Sequence, residues 1–131
     1  MNVKICSRKE AERLLNHGFP ADTAVISFYD SDSAPRVDYQ KKADSVLYVP
    51  LDDFQTELPK AREIAKFIRT AKAKGLNIIC QCESGQNRSA GCAAAIMEYY
   101  HHTGQSVFDN DRYHPDEMIY YAVLDALEII M

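Results

Sequence analysis

The chain has 131 residues, 47% hydrophobic and 26% charged, with a formal net charge of −4; this suits one globular domain that builds its core without metal or disulfide. The acidic balance, with no basic stripe, argues against nucleic acid as a partner and gives no general attraction to anionic membranes. No apolar run reaches the roughly 18–20 residues that cross a bilayer, and the first residues, MNVKIC, lack the apolar core of a signal peptide, so a cytoplasmic protein is expected.

Val3 to Cys6 is a short apolar strand. Ser7-Arg8-Lys9-Glu10 has the spacing of a capping box, in which the Ser7 hydroxyl and Glu10 carboxylate satisfy free amides at a helix start. Ala11, Leu14 and Leu15 give that helix an apolar stripe, and Gly18 stops it. Residues 23–29, TAVISFY, are β-branched and aromatic and read as a strand. Residues 30–44 are polar, contain Pro35 and read as an exposed loop; Ser45 to Leu51 is the next strand. Pro59 to Lys74 is a helix with Ile64, Phe67, Ile68 and Ala71 on one face, ended by Gly75. Leu76 to Cys80 is a short, mainly apolar strand of the kind found in the middle of a sheet. A polar loop over residues 82–88 leads into a helix from Arg88 to His102, apolar on most sides and so expected to be buried. Pro115 opens a last amphipathic helix reaching Met131. Strand and helix alternate, which predicts an α/β fold: a single domain over residues 1–131, with about four to five mostly parallel strands flanked by helices on both faces. In such sheets the functional loops lie beyond the carboxyl ends of strands. Two loops meet that condition, Asp52-Asp53 and Cys82 to Arg88.

The second of these carries the chemistry. A short loop joining a buried strand to a buried helix turns its amides, and the free N–H groups of the helix start, toward one point. The helix dipole adds partial positive charge there. Gly85 allows the tight backbone path. A thiol at that position, Cys82, is shifted toward thiolate. Arg88 can fold over the loop and pair its planar fork with two phosphate oxygens. Residues 83–88 (Glu83, Ser84, Gly85, Gln86, Asn87 and Arg88) are thus the candidate phosphate cradle.

Cys82-x5-Arg88 followed by Ser89 resembles the signature loop of the protein tyrosine phosphatase superfamily, in its compact dual-specificity branch. The resemblance implies that Cys82 attacks phosphorus to form a phosphocysteine. It also implies that Arg88 binds phosphate and stabilises the transition state, and that Ser89 hydrogen-bonds the thiolate and helps it leave. In this family an aspartate about 30 residues earlier protonates the leaving group. Val49-Pro50-Leu51-Asp52-Asp53-Phe54 resembles that acid-bearing loop, with Asp53 as the aligned acid and Asp52 as the alternative. The family usually has His before the cysteine; here it is Gln81, which carries no charge, so a somewhat higher Cys82 pKa and slower turnover are expected.

The implied activity is phosphomonoester hydrolysis needing neither metal nor cofactor, on a phosphoprotein or phosphopeptide carrying phosphotyrosine, with phosphoserine and phosphothreonine as further candidates. The loop has no Lys to meet further phosphates, and Glu83 disfavours polyphosphorylated substrates. The chain is too short for a long loop deepening the site, so a shallow cleft accepting several phosphoresidues is expected. A phosphate-binding module without turnover is the alternative, and a sulfurtransferase or arsenate reductase fits Ser89 and Asp53 less well. Cys6, Cys80 and Cys92 read as free thiols, with Cys80 and Cys92 buried and apolar rather than zinc ligands. The sequence does not specify an oligomeric state.

Overall fold

The computed structural model describes residues 1–30, 32, 35–52 and 55–129. Four strands, β1 (Val3–Cys6), β2 (Thr23–Tyr29), β3 (Ser45–Pro50) and β4 (Asn77–Gln81), form one sheet in the order β1-β4-β2-β3. Every pairing is parallel. Five helices accompany them: α1 (Arg8–His17), α2 (Ala61–Ala73), α3 (Arg88–His101), α4 (Gln105–Phe108) and α5 (Glu117–Ile129). No helix among the described residues is long and apolar enough to cross a membrane.

The sheet has two covered faces: its inner strands β2 and β4 are buried at all but one end residue each, mostly by apolar side chains. Ala24, Ile26, Phe28, Ile78 and Cys80 face the main core with α2, α3 and α5. The alternate residues Val25 and Ile79 face a smaller core with Ala11 and Leu15 of α1. β4 lies between β1 and β2, pairing Cys6 and Ser27 with Gln81. The chain leaving β4 therefore emerges at the middle of the carboxyl edge, where loops from three strands meet.

The capping box at α1 is complete: Glu10 N–H donates to Ser7 Oγ at 3.1 Å, and Ser7 N–H donates to Glu10 Oε1 at 3.0 Å. Helix starts near prolines lie later than expected. Pro59 precedes the Lys60 cap of α2. Pro115 precedes Asp116, whose Oδ1 accepts Ile119 N–H at 3.0 Å, so α5 begins at Glu117. α3 ends at His101, because His102 adopts the left-handed cap conformation at φ 58°. The strand expected at Leu76 to Cys80 is displaced by one residue, since Gln81 completes the ladder. α4 is an unpredicted single turn, too short to show periodicity.

The polar segment 30–44 is only partly an exposed loop. Val37 and Tyr39 are buried against α1 and β4. Arg8 Nη2 donates to the Pro35 carbonyl, Tyr48 OH to the Val37 carbonyl at 2.8 Å, and Lys42 Nζ to the Leu15 carbonyl at 2.6 Å. Residues 35–44 form a strap held across one face of the sheet.

Candidate active site

Cys82 is the first residue after β4 and is almost wholly buried, at 3% exposure. Its N–H donates to the Cys6 carbonyl at 3.2 Å, which continues the β1–β4 pairing past the strand end. Its sulfur lies 3.1 Å from Ser89 Oγ and accepts the Gly85 N–H at 3.3 Å. Burial opposes ionisation of this thiol. Hydrogen bonds from the Ser89 hydroxyl and from the Ser89, Gly85 and Asn87 amides outweigh it, holding the pKa below the ordinary thiol value. The other two thiols for which a shift is resolved go the opposite way. Burial pushes Cys6 up to about 11, and Cys80 rises well above its ordinary value through contact with Cys92 and burial.

The loop has a backbone shape that glycine alone fits. Gly85 has φ 69°, and a Cβ there would lie 2.5 Å from Ser7 N and 2.9 Å from Cys6 C. The loop is thus moulded onto the junction of β1 and α1. Arg8 strengthens this seam: its N–H donates to the Glu83 carbonyl at 3.1 Å, and its Nε donates to Glu83 Oε1 at 2.9 Å. On the opposite side Asn87 Nδ2 donates to the His114 carbonyl at 2.7 Å. His114 N–H donates to the Gln86 carbonyl at 2.8 Å, and Asp116 N–H to the Asn87 carbonyl at 3.0 Å. Asn87 spends its side chain on that neighbour and does not cap α3. Glu83, Ser84, Gln86 and Asn87 are exposed and Arg88 is half-buried at the first position of α3. Ser89 and Gly85 are buried. The candidate nucleophile, cradle and Ser89 are therefore one contiguous unit.

The acid-bearing loop gives a divided result. Asp53 lies outside the described residues. Asp52 is exposed; its N–H donates to Gln55 Oε1 at 2.8 Å and its carbonyl accepts the Gln55 N–H at 3.2 Å. Its carboxylate sits with those of Asp30 and Asp32, their oxygens within 4.8 Å of one another, at the ends of β2 and β3. Among the described residues this is one acidic set close enough to share a cation, but two of its members are exposed.

Gln81 is buried, and its Oε1 accepts from Ser27 Oγ at 2.6 Å and from Tyr39 OH at 2.7 Å. Tyr39 and Ser27 were not candidates from sequence. The available signal was the alternation Val37-x-Tyr39 inside a polar segment, which marks two inward residues at period two. The bracing residues Cys6, Ser7 and Arg8 gave no such signal, since they are 75 or more residues from the loop they support.

No protein-family model and no curated protein matches the sequence. Several solved structures do match in three dimensions. Tk-PTP in its active form is 15% identical and superposes over 99% of this chain and 94% of its own, with a TM-score of 0.63. DUSP15 is 18% identical over 95% of this chain and 81% of its own, with a TM-score of 0.67. PTPMT1 in complex with PI(5)P is 14% identical over 97% and 90%, with a TM-score of 0.63. The parallel sheet order, the loop between β4 and α3 and these superpositions together establish that the chain has the fold of the compact dual-specificity and tyrosine phosphatases.

Proposed function

We propose that the protein is a cysteine-based phosphatase that hydrolyses phosphomonoesters on phosphoprotein or phosphopeptide substrates through a phosphocysteine on Cys82. The observation that carries this reading is the Cys82 sulfur: buried, yet shifted toward thiolate by donors at 3.1 and 3.3 Å. A buried structural cysteine moves the other way, as Cys6 and Cys80 do. In the first step the thiolate attacks phosphorus, the ester P–O bond breaks, and the leaving oxygen takes a proton from the acid, assigned to Asp53. In the second step water attacks the phosphocysteine, Asp53 takes its proton, and the S–P bond breaks as Ser89 stabilises the returning thiolate. Arg88 and the loop amides hold the equatorial oxygens, whose charge they neutralise without a metal ion.

Phosphotyrosine is the proposed target, with phosphoserine and phosphothreonine as further candidates. Glu83 at the lip is paired with Arg8, which offsets part of its charge, yet its side chain remains 70% exposed. With Asp30, Asp32 and Asp52 at neighbouring strand ends, it disfavours heavily phosphorylated ligands. The test is hydrolysis of p-nitrophenyl phosphate with and without vanadate, compared with Cys82→Ser. Vanadate-sensitive turnover that Cys82→Ser abolishes is expected; equal turnover by the variant would overturn the assignment. A second panel of phosphopeptides and phosphoinositides, including PI(5)P, tests the substrate class.

A binding module without turnover is the second reading. Gln81 favours it, since its neutral amide lends Cys82 no charge and both acceptor sites of its oxygen are occupied by Ser27 and Tyr39. Phosphopeptide binding without hydrolysis would select that reading.

A further inference from the structure

Below the Cys82 loop lies a buried polar cluster that takes no direct part in the phosphoryl-transfer steps. Gln81 and Tyr39 are 2% exposed and Ser27 1%, and all three sit on the sheet face that carries the smaller apolar core. An amide oxygen has two acceptor positions. Ser27 Oγ fills one at 2.6 Å and Tyr39 OH the other at 2.7 Å, which fixes the amide against rotation.

We infer that Tyr39 and Ser27, acting through the Gln81 side chain, are positioning residues for Cys82. The inference rests on the reading of Cys82 as nucleophile. Gln81 is the residue before Cys82, so a tether on its side chain restrains the peptide that carries the sulfur. The restraint has three anchors: β2 through Ser27, the strap through Tyr39, and β1 through the Cys82 N–H bond to Cys6 at 3.2 Å. The sulfur in turn holds its place relative to Ser89 Oγ and Gly85 N. Hydrogen bonds weaken steeply once their geometry degrades, and at this buried sulfur they are what offsets the penalty of burial. A slack tether therefore reads out as a less acidic thiol.

The strap is built to present Tyr39. Lys42 N–H closes a turn onto the Tyr39 carbonyl at 2.9 Å. The two central residues, Gln40 and Lys41, have φ 54° and 60°, a pair of left-handed conformations normally left to Asn and Gly. Such backbone persists where the surroundings impose it. Lys42 on Leu15 and the buried Tyr39 ring supply that imposition.

The tether is insensitive to pH near neutrality. Burial holds the Tyr39 phenol far above its ordinary value, with Cys6 and Tyr48 acting in the same direction and Ser27 and Arg8 opposing it. Gln81 and Ser27 do not ionise. Among the described residues, the Cys80 thiol shares the main-core face with Cys82 and the Cys6 thiol lies on the Tyr39 face; both are raised above the ordinary thiol value, and Arg88 opens α3 at the end of the loop.

The test is the rate of Cys82 alkylation by iodoacetamide across pH, followed by peptide mass, which needs no turnover. Tyr39→Phe and Ser27→Ala should each slow alkylation near pH ~6 by roughly 3- to 10-fold while leaving the high-pH plateau unchanged. Tyr48→Phe removes an anchor of the same strap without touching Gln81, and should follow the wild-type profile. Wild-type profiles for both Tyr39→Phe and Ser27→Ala would overturn the inference, as would an equal shift in Tyr48→Phe. If Tyr39→Phe does not fold, Ser27→Ala against Tyr48→Phe decides alone. An ordinary thiol profile in the wild type would instead sink the nucleophile reading itself.

Discussion

Gly85 is the residue on which the shape of the cradle turns. Its left-handed φ alone disfavours a side chain by about 1–2 kcal/mol. The larger effect is steric, because the atoms a Cβ would meet, at 2.5 and 2.9 Å, belong to the backbone of Ser7 and Cys6 and cannot rotate aside. Gly85→Ala must push the loop off the β1–α1 junction, lengthening the 3.3 Å bond from Gly85 N–H to the Cys82 sulfur. Displacement of a reacting group by an ångström costs on the order of 100-fold in rate. We expect a loss of that size in kcat/KM for p-nitrophenyl phosphate, with the fold retained by circular dichroism. The acid is the other question at this scale. Asp53→Asn should lose the leaving-group proton, flattening the pH–rate profile and slowing poor leaving groups more than p-nitrophenol, whereas Asp52→Asn should keep the wild-type profile. The reverse pattern would move the assignment to Asp52, whose carboxylate lies among Asp30 and Asp32.

At the scale of elements, α1 does more than cover the sheet. Its first turn is the wall against which the Cys82 loop is cast, through Ser7 on Gly85 and Arg8 on Glu83. The capping box that fixes this turn depends on Glu10. Partial burial works against the Glu10 carboxylate. The Ser7 backbone and hydroxyl bonds and the Arg112 guanidinium, 3.2 Å away, outweigh it and hold the pKa below the ordinary glutamate value. A carboxylate with a depressed native pKa stabilises the fold above its unfolded pKa, and that contribution disappears as pH falls through the native value. Glu10→Gln keeps an acceptor for the Ser7 amide but loses the charge facing Arg112 and the helix dipole. It should unfold at lower urea than wild type at neutral pH, by no more than about 1 kcal/mol since the pair is largely solvated. The difference should close below pH ~4. A gap that persists in acid would mean that geometry, not charge, is what Glu10 contributes. The α1 turn was legible in the sequence because S-x-x-E is a local signal. Its service to a loop past the middle of the chain was not, since no local pattern encodes a contact across 75 residues.

For the molecule as a whole, the sequence revealed what is periodic and local. The apolar strand before Cys82 marked the centre of a sheet, and the alternation of strands with helices gave a parallel architecture. The strand order did not follow from it, because several orders bury the same apolar faces. Nor did the link between Tyr39 and Gln81, because a tyrosine in a polar segment shows its inward direction only once the strap is laid on the sheet. The order β1-β4-β2-β3 has a consequence for stability. It places the cradle where β1, α1, α3 and the segment before α5 all contribute backbone contacts, so an anion seated there joins elements from both ends of the chain. Ligand that binds only the folded state stabilises by RT ln(1 + [L]/Kd), about 2.7 kcal/mol at a hundredfold excess over Kd. For a domain of this size that corresponds to a rise in Tm of roughly 8–12 °C. On the proposed reading, vanadate bonds to the Cys82 sulfur, whereas phosphate is held only by the amides and Arg88. Wild type should therefore gain Tm with both anions, and Cys82→Ser should keep the phosphate response and lose most of the vanadate response. A Cys82→Ser protein deaf to both would make the thiolate part of the cradle's architecture. An unchanged vanadate response would remove Cys82 from the site. Either result is readable whether or not the protein turns over substrate, which separates the shape of the cradle from the rate of its chemistry.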